Sequence, residues 1–116
     1  MAIHDFRGAV EKQLTNASII RETDVMRQGV GAKILNIESG IVILVTEEEL
    51  KVGEAVKVEL RNTVQRYSRM VRGEVTSVRQ HRGDYTIEFM LHNRLTPHDV
   101  QTLRMQIRSA AANTWI

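Results

Sequence analysis

The side chains able to do chemistry are scattered, except along one stretch where Arg61, Arg66, Arg69 and Arg72 crowd together. A guanidinium offers a planar fork of donors that fits phosphate groups, so this stretch suggests an anion-binding patch for phosphate, a nucleotide or nucleic acid. The competing expectation is a solvated outer face paired with carboxylates such as Glu59 and Glu74, the usual fate of a charge run. On a strand, Arg66 and Arg72 would share a face and Arg69 would point the other way unless a bulge intervenes. Nucleic acid is the weaker partner, because aromatic residues make up 4% of the chain and a base-stacking platform has few candidates.

Other chemistries find less support. The four histidines, His4, His81, His92 and His98, show no pair at metal-ligand spacing, so no metal is expected. Cysteine is absent, which excludes disulfides, thiolate sites and a cysteine nucleophile, and leans towards a reducing compartment. No serine lies in a nucleophile-elbow pattern, and a turn at a strand entry accounts for Gly29 and Gly31. Glu47, Glu48 and Glu49 form an acidic loop tip rather than a desolvated acid–base pair. The expectation is a non-enzyme that needs no cofactor.

The elements that must carry these residues follow from periodicity. Phe6, Val10 and Leu14 recur at helical spacing, predicting a short helical segment over 1–16. Ile19 and Ile20 centre a short strand at Ser18 to Glu22, followed by Val30 to Ile37 and the almost wholly aliphatic Ile41 to Thr46, which suggests burial on both faces. In the connection from Glu47 to Gly53, Leu50 is expected to tuck under and Gly53 to take a positive φ. Val56, Val58 and Leu60 alternate with Lys57 and Glu59, and Tyr85, Ile87, Phe89 and Leu91 with Thr86, Glu88 and Met90. Between them a longer strand through Met70, Val71, Val75 and Val78 is broken at Gly73, read as a bulge or bend, and turns at Arg82, Gly83 and Asp84. Thr96 at the N-cap, Pro97 at the first helical position and Asp99 in the first turn start a helix over 96–112, with Val100, Leu103, Ile107, Ala110 and Ala111 on its packed face.

With 116 residues, 42% of them hydrophobic, one domain with one modest core is expected, its barrel spanning 17–92. Strands without crossover helices argue for an all-β, mostly antiparallel six-stranded barrel with a flanking C-terminal helix. The longest apolar run, Ile41 to Val45, is too short to span a bilayer, and the N-terminal stretch carries no signal-like run, so a cytoplasmic location is expected. The formal charge of +2 decides nothing about partners by itself.

From Ala32 to Leu103 the order of elements resembles a PilZ domain: Ala32 to Ile43 around Asn36, Ser39 and Gly40, then Leu50 with Gly53, the alternating strand, Gly73 to Val75, Tyr85 to Phe89 and a last helix. The resemblance covers about two-thirds of the chain and is one of pattern. It implies a six-stranded barrel with a C-terminal helix, and cyclic di-GMP as a ligand held by R-x-x-x-R and D/N-x-S-x-x-G motifs. Here Asn36 fits the second motif, but Glu38 and Ile41 stand where serine and glycine belong, with Ser39 and Gly40 displaced by one residue. In the first motif Arg7 is followed by Glu11 at the second arginine's place and by Lys12 one step late. The resemblance is therefore to a degenerate member. Its expected function is a non-catalytic regulatory or adaptor domain in bacterial second-messenger signalling, contacting an unidentified protein partner through Arg66, Arg69, Arg72, Met105 and Trp115. The alternatives are a cyclic di-GMP receptor with Arg7, Lys12, Asn36 and Ser39 nearest the ligand, and nucleic-acid binding through the arginine strand. Met105 and Trp115 also suggest a homodimer through the C-terminal helix.

Overall fold

The computed structural model of the chain describes residues 15–22 and 29–104. Its strands are β1 (Thr15–Arg21), β2 (Gly29–Ile37), β3 (Ile41–Thr46), β4 (Ala55–Asn62), β5 (Tyr67–His81) and β6 (Asp84–Leu91). They close into a barrel in the order β1-β2-β3-β6-β5-β4, every neighbouring pair antiparallel. Helix α1 begins at Pro97 and is described as far as 104. The all-β barrel with a C-terminal helix expected from periodicity is the fold observed.

Alternation decides which side chains fill the barrel. Val56, Val58 and Leu60 of β4 point inward, as do Ile87 and Phe89 of β6, all at 1% exposure or less. They meet Ile19, Leu44 and Val75 in one continuous core that Leu50, Leu95 and Leu103 complete. Each such side chain contributes about 1.5–3 kcal/mol by leaving water, which makes the interior the main source of stability. The aliphatic β3 is buried on one face only: Val42, Leu44 and Thr46 are inside, whereas Ile41, Ile43 and Val45 are half-buried on the outer surface. This corrects the expectation of two buried faces, since in a closed barrel one face of every strand looks outward.

Turns and irregularities fix the register. Arg82 and Gly83, at φ values of 52° and 88°, make the two-residue β5–β6 hairpin, whose twist calls for positive φ at both positions. Leu50 is buried and Gly53 has a φ of 91°, as expected for that connection. Long β5 pairs first with β4 and then with β6, and its bulge lies between Val75 and Ser77 rather than at Gly73. Thr76 is the extra residue, its Oγ1 donating to the Glu88 carbonyl at 3.2 Å and carboxylate at 2.9 Å. Gly73 instead keeps register with both Val56 and Leu91. Gly29 and Gly31 are likewise paired strand residues of β2, opposite Ile20 and Ser18, not parts of a turn.

Two boundaries move. Thr15 and Asn16 belong to β1, paired with Asn62 and Arg61, so the helical segment expected over 1–16 does not include them; the rest of it lies outside the described residues. The strands therefore run from residue 15 to residue 91 rather than over 17–92. The α1 start is as expected: Thr96 and Asp99 cap each other reciprocally, each backbone N–H donating to the other's side chain at 3.1 Å. Residues 105–112 of the expected helix lie outside the described residues. Leu103 is fully buried against the barrel, Asn62 Nδ2 donates to the Thr102 carbonyl at 3.0 Å, and Arg104 Nη2 donates to the Ile37 carbonyl at 2.5 Å, so the helix closes that end of the barrel.

Candidate functional site

The register of three strands assembles a cationic surface. Ile20 on β1 stands opposite Lys57 on β4, and Lys57 stands opposite Arg72 on β5, so the three form one row on the outer face. Met70 lies in the neighbouring row, opposite Glu59. Beyond Leu91 the chain crosses beside the start of β5, held where the His92 N–H donates to the Arg72 carbonyl at 2.9 Å and the Leu95 N–H to the Ser39 carbonyl at 2.7 Å. Between this crossing and the outer face lies a groove of about 680 Å³, lined by Lys57, Arg69, Arg72, His92 and Arg94, with Ile20, Met70, Val71 and Leu95 as its apolar parts. No carboxylate lines it. A smaller cleft of about 280 Å³ shares Ile20, Lys57 and Arg72 and extends it to Arg21 and Glu22.

The cations differ in how far they are already engaged. Arg21 is committed: Nε and Nη2 grip both carboxylate oxygens of Glu54 at 2.6 and 2.9 Å, and Nη1 reaches Glu48 at 2.9 Å. The hydrogen bond to Glu54 raises the guanidinium's affinity for its proton, against a smaller effect of burial. Burial pushes the Glu54 carboxyl up, but hydrogen bonds from Arg21 and the Lys51 N–H, with the charges of both residues, bring it below its ordinary range. Arg61 is held by Glu59 at 2.6 Å and Asn16 at 2.8 Å. Arg69 is only loosely tied, its Nε 3.8 Å from Asp99 and its side chain 54% exposed. Lys57, Arg72 and Arg94 make no ion pair among the described residues. The groove thus holds positive charge that the described fold does not neutralise, and that charge attracts and orients an anion.

Behind Arg69 sits a buried polar cluster. Asp99 is 6% exposed and accepts hydrogen bonds from the Tyr67 hydroxyl and the Thr96 N–H. The Tyr67 bond, followed by those of Thr96 and the charge of Arg69, holds the Asp99 carboxyl below its ordinary range in spite of burial. Burial and the Asp99 carboxylate push the Tyr67 phenol well above its usual value. The groove and the start of α1 therefore share one side chain, Arg69.

Of the residues singled out by sequence, Arg69 and Arg72 both line the groove, but the unbroken β4–β5 register sets Arg69 opposite buried Leu60, so it leaves the strand on the other face from Arg72, as expected. Arg66 does not line it: it is an exposed turn residue between β4 and β5 with a φ of 52°, so the expected strand face shared with Arg72 is not formed. Glu59 is the expected salt partner for one member of the series, Arg61 at 2.6 Å, and also accepts from Ser68, but it pairs with neither Arg69 nor Arg72. Asn36 is exposed beside the irregularity that follows Ile34, opposite Ile43, and Ser39 is exposed in the β2–β3 turn; neither lines the groove. Arg7, Lys12, Met105 and Trp115 lie outside the described residues. Sequence reasoning missed Lys57, His92 and Arg94. Strand alternation already turned Lys57 outward, but only the cross-strand register brings it to Arg72, and nothing local to residues 92–94 announces their return to β5.

Among the described residues no group of three or more histidine, aspartate or glutamate side chains is placed to hold a metal ion. No helix there is long and apolar enough to cross a membrane. Compared with known proteins, the chain matches no protein-family model and no curated sequence.

Proposed function

We propose that this chain is a non-catalytic regulatory domain of PilZ-like type in bacterial signalling, which works by contact with a partner protein through the cationic groove. One observation carries the reading: Lys57 and Arg72 on the outer strand face, with Arg94 on the crossing segment beside it, line a groove together with exposed Met70 and no carboxylate. A lining of cations and aliphatic groups seats a complementary surface, and it sets no base beside a nucleophile. The barrel with its C-terminal helix is also the architecture that the resemblance implies.

The same groove favours a second reading, a cyclic di-GMP receptor with a site away from the usual motif positions, because arginine forks suit phosphodiesters. Calorimetric titration with cyclic di-GMP, together with a photo-crosslinking side chain at position 70 in living cells, separates the two. Contact signalling predicts no nucleotide binding and a protein adduct from position 70 that is not formed from position 82. Low-micromolar nucleotide binding that Arg72→Glu abolishes would replace the first reading by the second.

A further inference from the structure

We infer that the groove docks an extended segment of a partner protein in which acidic and apolar residues are interspersed, the carboxylates meeting Lys57, Arg69, Arg72 and Arg94 and the apolar side chains meeting Ile20 and Met70. This rests on the contact reading above and names the chemistry of the partner.

Charge complementarity supplies the first reason. Four side chains that carry a full positive charge line the groove with no carboxylate among them. Of the acidic groups nearby, Glu22 lines the smaller cleft, Glu59 is bound to Arg61 and Ser68, and Asp99, 3.8 Å from Arg69 behind the groove, is already hydrogen-bonded to Tyr67 and Thr96. A ligand carboxylate can therefore recruit Arg69 without leaving Asp99 bare.

The apolar lining is the second reason, and it discriminates between anions. Ile20 is half-buried in the same row as Lys57 and Arg72, and Met70 is 51% exposed in the next row. A purely hydrophilic anion gains nothing from them, whereas a leucine or valine of a bound segment gains burial against a flexible thioether that adapts to its shape. No phenylalanine, tyrosine or tryptophan lines the groove, so a nucleobase would have only the His92 imidazole and the guanidinium planes to stack on, which weighs against a nucleotide or single-stranded nucleic acid.

Shape is the third. The smaller cleft continues the groove past Ile20 to Arg21 and Glu22, so the trough crosses β5, β4 and β1 rather than ending in a compact pocket. Along the trough β1 and β4 are paired on both sides, whereas β5 before Gly73 pairs with β4 alone and meets the crossing segment on its other side through the His92 N–H on the Arg72 carbonyl. An alternation of acidic and apolar residues matches the cationic and apolar side chains that line the trough.

The test is fluorescence anisotropy of the intact chain with a labelled peptide of alternating glutamate and leucine, beside a glutamate–serine peptide of equal length and cyclic di-GMP as competitor. The expected result is binding that weakens with salt, falls about tenfold or more with Arg72→Glu or Lys57→Glu, and is little changed by Arg82→Glu at the far hairpin. Met70→Ser and the glutamate–serine peptide should each bind roughly threefold or more weakly, the loss expected for an apolar contact. Lys57 and Arg72 face outward, and a thermal melt matching the wild-type chain verifies that each variant folds. Peptide binding that ignores both charge reversals would sink the groove as the site while leaving contact signalling intact. Equal binding of the serine peptide would reduce the groove to a nonspecific cation patch. No peptide binding, with cyclic di-GMP bound and lost on Arg72→Glu, would overturn this inference and the contact reading together.

Discussion

Asp99 makes more interactions than any other side chain around the start of the helix. One carboxylate oxygen accepts the Tyr67 hydroxyl, the other the Thr96 N–H at 3.1 Å, and the Asp99 N–H is itself satisfied by Thr96 Oγ1. Asp99→Asn keeps the shape but loses the charge and one acceptor: with its Oδ1 on the Thr96 N–H, its NH2 faces the Tyr67 oxygen, which then accepts while the phenol hydrogen loses its partner. A buried group left unsatisfied in this way costs about 1–3 kcal/mol. Thr96→Ala removes only one half of the reciprocal cap, and the expected loss is about 1 kcal/mol. Urea unfolding should show a lower midpoint for both variants at unchanged slope, with Asp99→Asn the lower of the two. Equal midpoints would mean that Tyr67 draws nothing from its carboxylate.

At the scale of an element, β5 explains how a single strand serves two neighbours. Its first half follows β4 and its second half β6, and at the change of partner Gly73 has Val56 on one side and Leu91 on the other. A Cβ built on Gly73 would stand 2.7 Å from the Met90 carbonyl oxygen, which is backbone and cannot turn away. Gly73→Ala should therefore force the β5–β6 ladder apart and destabilise the barrel by about 1–3 kcal/mol, the range for overpacking. The thermal midpoint is the measurement, and an unchanged value would show that the ladder yields freely. The sequence marked Gly73 as special, but the bulge it offered lies elsewhere, because a glycine at a bulge and a glycine under a crossing backbone look alike in one dimension. The bulge at Thr76 carries no signal in residue type. Local features read more truly: the Thr96-Pro97-Asp99 helix start, the buried Leu50 and the positive φ of Gly53 each depend on residues only a few positions apart. The groove was legible only in part, since Arg69 and Arg72 are neighbours in sequence while Lys57 and Arg94 reach them through strand register and a loop crossing.

Seen as a whole, the barrel has a polar staple at each end, and the two give its stability a pH dependence whose sign follows from their protonation. Arg21 ties the end of β1 to Glu48 and Glu54, beyond β3 and before β4, while Asp99 ties α1 to Tyr67 at the opposite end. Glu54 and Asp99 both have folded values below their ordinary 4.5 and 3.8, so the unfolded chain binds their protons more tightly. Their contribution is complete above about pH 5 and is lost as pH falls through the depressed folded values. Tyr67 has the opposite sign: its folded value lies above its ordinary 10.0, so its contribution is present below pH 10.0 and is lost as pH rises through the folded value. Urea unfolding at a series of pH values should therefore give a plateau with a decline on each side. Tyr67→Phe is the variant that separates the staples. It deletes the titrating phenol and frees one Asp99 oxygen, so it should flatten the alkaline limb and make the acid limb shallower, because Asp99 loses the largest cause of its depression. The Glu54 share of the acid limb should persist in that variant and disappear in Glu54→Gln. An alkaline limb as steep in Tyr67→Phe as in the wild-type chain would show that another group controls high-pH stability and that the hydroxyl–carboxylate contact does not tie the helix to the barrel.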